Sequence, residues 1–108
     1  MEYIMAITAC PKDEAYVLAK TLVQERVCAC ANVISGVDSI YHWKGKVEES
    51  GESMILMKTE KSKEEALWKA LRHYHSYEVP EFTVFQISSG SQEYLQWITD
   101  SLSSERDR

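Results

Sequence analysis

The chain has 108 residues, of which 44% are hydrophobic and 27% are charged, and its formal net charge is −5 at pH 7. These values are typical of one soluble globular domain, so we predict a single domain over residues 1–108, with a core over residues 3–102 and a polar tail over residues 103–108. The net negative charge argues against a general nucleic-acid-binding protein and against adsorption to anionic membranes.

Two further features bear on location. No apolar run approaches the roughly 20 residues that span a bilayer, and the segment MEYIMAITAC has no basic region ahead of its apolar residues, so we expect neither a signal peptide nor a membrane partner. The three cysteines, Cys10, Cys28 and Cys30, are an odd number. We therefore expect free thiols and a reducing, cytoplasmic location.

The first half of the chain is predicted to form a strand, a helix and a second strand. Residues 3–8 are continuously apolar, as in a central strand. Pro11 suits the first position of a helix, whose apolar stripe follows at helical spacing: Ala15, Leu18, Ala19 and Leu22. Residues 28–43 are rich in β-branched and aromatic side chains and form a long strand, with a bulge or bend at Gly36.

The second half repeats this order after a hairpin. The segment WKGK supplies a tight turn, and residues 47–60 return as a strand with a second bulge at Gly51. Ser62 and Glu65 form a capping box that begins the second helix, with an inward face made of Leu67, Ala70, Leu71 and Tyr74. Residues 82–88 form the last core strand, and Ser91 caps a short terminal helix that carries Tyr94, Leu95, Ile98 and Leu102.

The resulting order is two βαβ halves joined by a hairpin, which makes the fold class α+β. With right-handed crossovers, this order gives a ferredoxin-like antiparallel sheet in which the first and third strands are central. Both crossover helices then lie on one face of the sheet. The first strand ends where the last strand begins, so Cys10 and the loop at His75 are expected at one end of the protomer.

Two blocks of the sequence resemble the CutA family of divalent-cation tolerance proteins. They are CACANVISGVDSIYHWKGKVEE and HSYEVPEF, and the similarity extends from about Tyr3 to Leu102, including the segment YLQWI. The resemblance implies a ferredoxin-like protomer in a tight homotrimer, similar in architecture to the PII signalling proteins. It also implies an association with copper and other divalent cations, in which a cysteine on the first strand and the histidine of a His-Pro-Tyr motif are the implicated ligands.

The sequence departs from that family pattern at two positions. Ile7 stands where the family has its first-strand cysteine, and Cys10 lies three residues later. Ser76 stands where the family has a proline after the loop histidine. The metal assignment is affected by the first departure, whereas the fold assignment is affected by neither.

The candidate metal ligands are His75, Glu78, Glu81 and Cys10. An imidazole, two carboxylates and a thiol suit a borderline-soft cation such as Cu²⁺. The alternative is that the loop is structural, with Tyr77 and Glu78 capping the helix end, Glu81 beginning a strand and His75 merely exposed.

Three other features have simpler interpretations. Cys28 and Cys30 are two residues apart, face the same side of a strand and are interpreted as core thiols. The hairpin aromatics Tyr41 and Trp43 are predicted to pack against a neighbouring subunit, with the wall of a ligand pocket as the alternative. No nucleophile elbow, phosphate loop or zinc-protease motif occurs, so an enzyme is not expected.

Two function classes therefore compete. The first is a divalent-cation-binding protein whose ligands come from the loop at His75. The second is a PII-like signalling or interaction module that binds a small molecule or a partner protein. The short turn WKGK counts against the second class, because a loop that engages effectors is usually long and flexible.

Overall fold

The computed structural model of the protein describes residues 1–103. Its strands are β1 (Tyr3–Pro11), β2 (Cys30–Trp43), β3 (Lys46–Glu60) and β4 (Thr83–Ile87). Its helices are α1 (Ala15–Gln24), α2 (Glu64–Tyr74) and α3 (Gln92–Ser101), with a single 3₁₀ turn at Lys61–Lys63 before α2. The strand order is β2-β3-β1-β4 and every pairing is antiparallel. The predicted α+β ferredoxin-like topology, with the first and third strands central, is confirmed.

One face of the sheet is buried under α1 and α2. Alternate residues of β1 are buried, and they share a core cluster with the apolar stripes of both helices. The buried members of that cluster include Ala6, Ile55 and Met57 from the sheet, Leu18, Ala19 and Leu22 from α1, and Leu67 and Leu71 from α2. The helix stripes therefore lie where the 3.6-residue spacing predicted them.

The short helix α3 covers part of the opposite face. Ile98 and Leu102 pack there with Ala29 against Tyr3, and the Tyr3 hydroxyl lies 2.7 Å from Thr99 Oγ1. Ser91 caps α3 by accepting a hydrogen bond from the Tyr94 N–H at 3.3 Å, as predicted. Coverage is incomplete, because the remaining residues of this face are only half-buried or exposed, among them Met5, Ile7, Met54, Leu56 and Phe85.

The hairpin extends well beyond the sheet. β1 pairs with β3 as far as Pro11 and Glu52, so the preceding residues of β3 pair with β2 alone. This ribbon makes the protomer elongated, with principal extents of 48 × 26 × 24 Å. A two-stranded ribbon has little core of its own, so the far half of the hairpin depends on contacts outside the pairing of its two strands.

Several local predictions are wrong. Pro11 ends β1 instead of beginning α1, because β3 is long enough to pair with β1 past residue 8. Ser62 forms no capping box: it lies in the 3₁₀ turn, and α2 begins at Glu64 without a side-chain cap. Tyr74 is 44% exposed and donates a hydrogen bond to Glu25 rather than pointing inward.

The two predicted bulges have different outcomes. The register of β2 shifts between Ile34 and Val37, and Gly36 there has a φ of +73°, so the bulge at Gly36 is confirmed. Gly51 pairs regularly with Asp38, so the predicted second bulge is absent. The polar tail lies outside the described residues from residue 104 onward.

We expect Gly36→Ala to lower the free energy of unfolding by about 1 kcal/mol, because a β-carbon disfavours the left-handed backbone. A methyl group at Gly36 or at Gly51 would meet no atom within 4 Å, so only the backbone conformation separates the two sites. Gly51→Ala is therefore the matched control and should be neutral or slightly stabilising. Denaturant unfolding at matched protein concentration measures both, and equal losses would contradict the assignment of strain to Gly36.

Candidate functional site

The His75 ring joins the end of α2 to the end of β1. His75 ends α2 in extended geometry, and its N–H donates to the Leu71 carbonyl at 2.8 Å. Its side chain is only 7% exposed. Nε2 donates to the Ala9 carbonyl at 2.9 Å, and Nδ1 accepts from the Tyr77 N–H at 3.1 Å. Both ring nitrogens are therefore occupied by backbone groups, and neither presents a lone pair to a metal in this arrangement.

Cys10 lies next to this contact in the chain but faces the core. Its side chain is fully buried in the cluster beneath α1 and α2. Burial, together with the negative charges of Glu14 and Glu52, raises the pKa of the thiol to about 11. A protonated, enclosed thiol is a poor metal ligand. The end of β1 and the loop at His75 lie together, as the topology predicts. The Cys10 side chain, however, lies in the core and not on the solvent-exposed side of that loop.

Ile7, the position that the resemblance gives for a first-strand cysteine, and Cys10 are not structurally equivalent. Ile7 and Cys10 are three residues apart on β1, so their side chains lie on opposite faces of the sheet. Ile7 is on the partly covered α3 face, and Cys10 is on the α1 and α2 face.

The loop glutamates face a cavity. Glu78 and Glu81 are exposed, and Glu81 Oε2 accepts a hydrogen bond from Thr83 Oγ1 at 3.1 Å. The cavity between the loop and the hairpin has a volume of about 400 Å³ and is lined by Ala9, Ser39, Tyr41, Trp43, Glu52, Tyr77, Glu78, Val79 and Glu81. The hairpin aromatics thus lie beside the loop glutamates within one protomer.

Glu52 is a site residue that the sequence reasoning missed. It is 6% exposed and its Oε2 accepts a hydrogen bond from the Tyr77 hydroxyl at 2.5 Å. Burial, followed by this hydrogen bond and the charge of Glu52, raises the pKa of Tyr77 well above its ordinary value. Tyr77 therefore remains a hydrogen-bond donor at all physiological pH values. Glu52 reaches the cavity because it pairs with Pro11 on β1 and Val37 on β2. The local sequence does not reveal that register.

The four predicted ligands do not form a ready metal site. Among residues 1–103, no group of three or more histidine, cysteine, aspartate or glutamate side chains is arranged to hold one ion. Glu78 and Glu81 fit a cation as oxygen donors. His75 and Cys10 do not fit in the observed arrangement, because one is hydrogen-bonded at both nitrogens and the other is enclosed in the core.

Cys28 and Cys30 do not face the same side, contrary to the prediction. Cys28 precedes β2 and is buried in the cluster under α1, whereas Cys30 begins the strand and its sulfur lies 3.6 Å from the Tyr94 hydroxyl on α3. Burial raises the pKa of Cys28 to about 12. The interpretation as a core thiol therefore holds for Cys28, while Cys30 is half-buried.

Comparison with known proteins identifies the family. Residues 3–101 match the profile described as CutA1 divalent ion tolerance protein. The chain belongs to the CutA1 family. It is 38% identical over 101 residues to the divalent-cation tolerance protein CutA of Thermus thermophilus, and the match covers 94% of this chain and 98% of that protein. A crystal structure of CutA1 from Oryza sativa superimposes with a TM-score of 0.92 at 32% identity and covers 96% of both chains.

The lengths of CutA1 relatives differ. A chloroplastic CutA protein of Arabidopsis thaliana is 35% identical over 98 residues, which is 91% of this chain but only 54% of that relative. The names of these relatives state divalent-cation tolerance or CutA and no enzymatic activity. In the part of this chain that the structure describes, no helix is long and apolar enough to cross a membrane.

The three thiols should differ in reactivity. We expect iodoacetamide at pH 8 to alkylate Cys30 in the folded protein and to spare Cys10 and Cys28, which are buried and have a raised pKa. Peptide mass spectrometry locates the label, Cys30→Ser should abolish it, and all three thiols should react in denaturant. Rapid labelling of Cys10 in the folded protein would contradict its burial.

The two buried thiols also predict an alkaline loss of stability. The pKa values of Cys10 and Cys28 are higher in the folded state than the usual value of about 8.5, so unfolding releases protons above that pH. Stability should therefore fall as the pH rises from about 8.5 through 11, and Cys10→Ala should reduce the slope. Denaturant unfolding at a series of pH values measures this slope.

Proposed function

We propose that this CutA1-family protein is a non-enzymatic homotrimer that binds divalent cations, with Cu²⁺ as the strongest-binding ion, beside the loop between α2 and β4. The observation that carries the proposal is the charge of the cavity: Glu52, Glu78 and Glu81 line it, and no lysine, arginine or histidine does so among the described residues. An uncompensated negative site attracts cations and raises their local concentration.

The ligands that suit this role are the two exposed carboxylates of the loop. Glu78 and Glu81 can turn towards a bound ion without breaking core contacts. Cu²⁺ is first among the divalent ions in the Irving–Williams order, so it should bind most tightly to any such oxygen and nitrogen donors. His75 would join only after its ring leaves the Ala9 carbonyl, and Cys10 is left out because its thiol is enclosed.

The homotrimer is supported by two surfaces of the protomer that lack cover. The first is the part of the sheet face that α3 leaves open, where Phe85 is 50% exposed. The second is one side of the hairpin, where Ile40 is 68% exposed and Val47 is 64% exposed. Contiguous apolar surface of this kind marks an interface in a soluble protein.

We also propose the cytoplasm or another reducing compartment for this chain. The support is that Cys10, Cys28 and Cys30 are all free thiols and that two of them lie in the core. Oxidation of a buried thiol would disrupt the packing beneath α1.

The cation proposal is tested by titration of the full chain with Cu²⁺ in a calorimeter. We expect the double variant Glu78→Gln/Glu81→Gln to weaken binding at least tenfold, or about 1.4 kcal/mol, because it removes both charged oxygen donors. The matched control is Glu64→Gln/Glu65→Gln, which removes two acids from α2, away from the cavity.

A second pair of variants tests whether the His75 ring has a structural role. His75→Ala should lower thermal stability, because the Ala9 carbonyl and the Tyr77 N–H lose their hydrogen bonds to the imidazole ring, whereas the exposed His73→Ala should not. Equal copper affinity in the parent protein and the double glutamate variant would refute the proposed ligands.

The trimer is tested by sedimentation of single-site variants. Ile40→Asp places a charge on the open side of the hairpin and should shift the mass towards that of one 12.4 kDa chain. Asp38→Asn on the same side is the mild control and should leave the assembly intact. A parent protein that sediments as a single chain at micromolar concentration would disprove the trimer.

A further inference from the structure

The cavity between hairpin and loop has a chemistry that divalent-cation tolerance does not use. We infer that it binds a small organic ammonium ion, meaning an alkylated amine that carries a permanent or protonated positive charge. The inference goes beyond the proposed metal function and does not depend on it. It rests on a buried carboxylate, three aromatic walls and the volume that they enclose.

The buried carboxylate is the charged end of the site. Glu52 is 6% exposed and its Oε2 accepts a hydrogen bond from the Tyr77 hydroxyl, and no lysine, arginine or histidine among the described residues lines its cavity. A largely buried carboxylate attracts a nearby cation more strongly than a fully exposed one does, because solvent screens it less. Because Glu52 lines the cavity, a cation that enters would lie close to this charge.

The aromatic walls select the kind of cation. Tyr41, Trp43 and Tyr77 line the same cavity and are partly exposed, and aromatic ring faces attract ammonium groups at such sites as well as at buried ones. Lys44 holds its ammonium 5.7 Å from the centre of the Trp43 ring, a contact that an entering cation must share or displace. Aromatic rings offer no coordinating atoms to a divalent metal, but they suit a weakly hydrated alkylammonium.

The volume of the cavity and the arrangement of its carboxylates also favour an organic cation. The volume of about 400 Å³ lies in the range of small-molecule sites and is far larger than one metal ion requires. Among residues 1–103, no three acidic, histidine or cysteine side chains are close enough to hold one metal ion together. The carboxylates are therefore spaced around a larger ligand, with Glu52 at the enclosed end and Glu78 and Glu81 on the exposed loop.

The hairpin keeps this cavity separate from its open apolar side. Tyr41 and Trp43 alternate with Ile40 along β2, so they lie on the opposite side of the ribbon. Val47 pairs with His42 and shares the side of Ile40. A neighbouring subunit that covers Ile40 and Val47 therefore leaves the aromatic side free, whereas the sheet face that carries Phe85 is continuous with the aromatic side, since Phe85 pairs with Met5 and Glu52 pairs with Pro11.

The test uses choline as the probe and 3,3-dimethyl-1-butanol as its uncharged counterpart of the same shape. Both are titrated into the full-length protein in a calorimeter, with a chelator present so that no metal contributes. We expect choline to bind with a dissociation constant of about 1 mM or tighter, and the alcohol to bind at least about tenfold more weakly.

Variants assign the binding to this cavity. Glu52→Gln keeps the shape and the acceptor for Tyr77 but removes the charge, and it should weaken choline binding about tenfold. Glu93→Gln, on the exposed face of α3, is the matched control and should have no effect. Trp43→Leu should also weaken choline binding, and a circular-dichroism melt of each variant confirms that it is folded.

The outcomes are decisive in either direction. Equal affinity for choline and the alcohol, no measurable choline binding, or full affinity in folded Glu52→Gln would each overturn the inference. Copper binding measured separately could survive any of these results, since its proposed ligands are Glu78 and Glu81. Conversely, choline binding that persists without copper binding would support this site and refute the metal proposal.

Discussion

The His75 ring connects the two parts of the molecule from which the cavity is built. Its two nitrogens bond to the Ala9 carbonyl on β1 and to the Tyr77 N–H on the following loop. This orientation directs the Tyr77 hydroxyl to Glu52 at the base of the hairpin. A chain of hydrogen bonds therefore runs from one central strand through the loop to the other central strand. Its members satisfy one another, which is the condition under which a polar network stabilises a fold.

The same network explains why a histidine here need not be a ligand. A metal-bound imidazole normally presents one nitrogen to the ion and bonds to a second group through the other. In this protein the backbone takes both nitrogens. The ring is a structural element in the observed state. Any cation that recruits it must offset the loss of a buried hydrogen bond, which costs about 1–3 kcal/mol when the carbonyl is left unpaired.

The fold is largely predictable from the sequence because its signals are periodic and local. The stripe at Ala15, Leu18 and Leu22 and the cap at Ser91 each have a spacing or residue type that indicates the element. The strand ends are less predictable: the local pattern places Pro11 in a helix, whereas its pairing with Glu52 depends on a strand about 40 residues away. A local pattern cannot reveal such a register. The site is predictable only in part for the same reason, because the loop glutamates stand out in the sequence while the burial of Glu52 and its bond to Tyr77 depend on strand pairing.

The divalent metal and the alkylammonium make different demands on one negative cavity. A divalent metal is strongly hydrated and prefers several oxygen donors near water, which Glu78 and Glu81 provide. An alkylammonium is weakly hydrated and gains from contact with aromatic ring faces, which Tyr41 and Trp43 provide. Because both ions would neutralise carboxylates of one cavity, each should lower the affinity of the protein for the other. That coupling is reciprocal by thermodynamic necessity, so the factor by which choline weakens copper binding must equal the factor by which copper weakens choline binding. A shared cavity would therefore make the metal affinity of the protein responsive to the supply of organic cations.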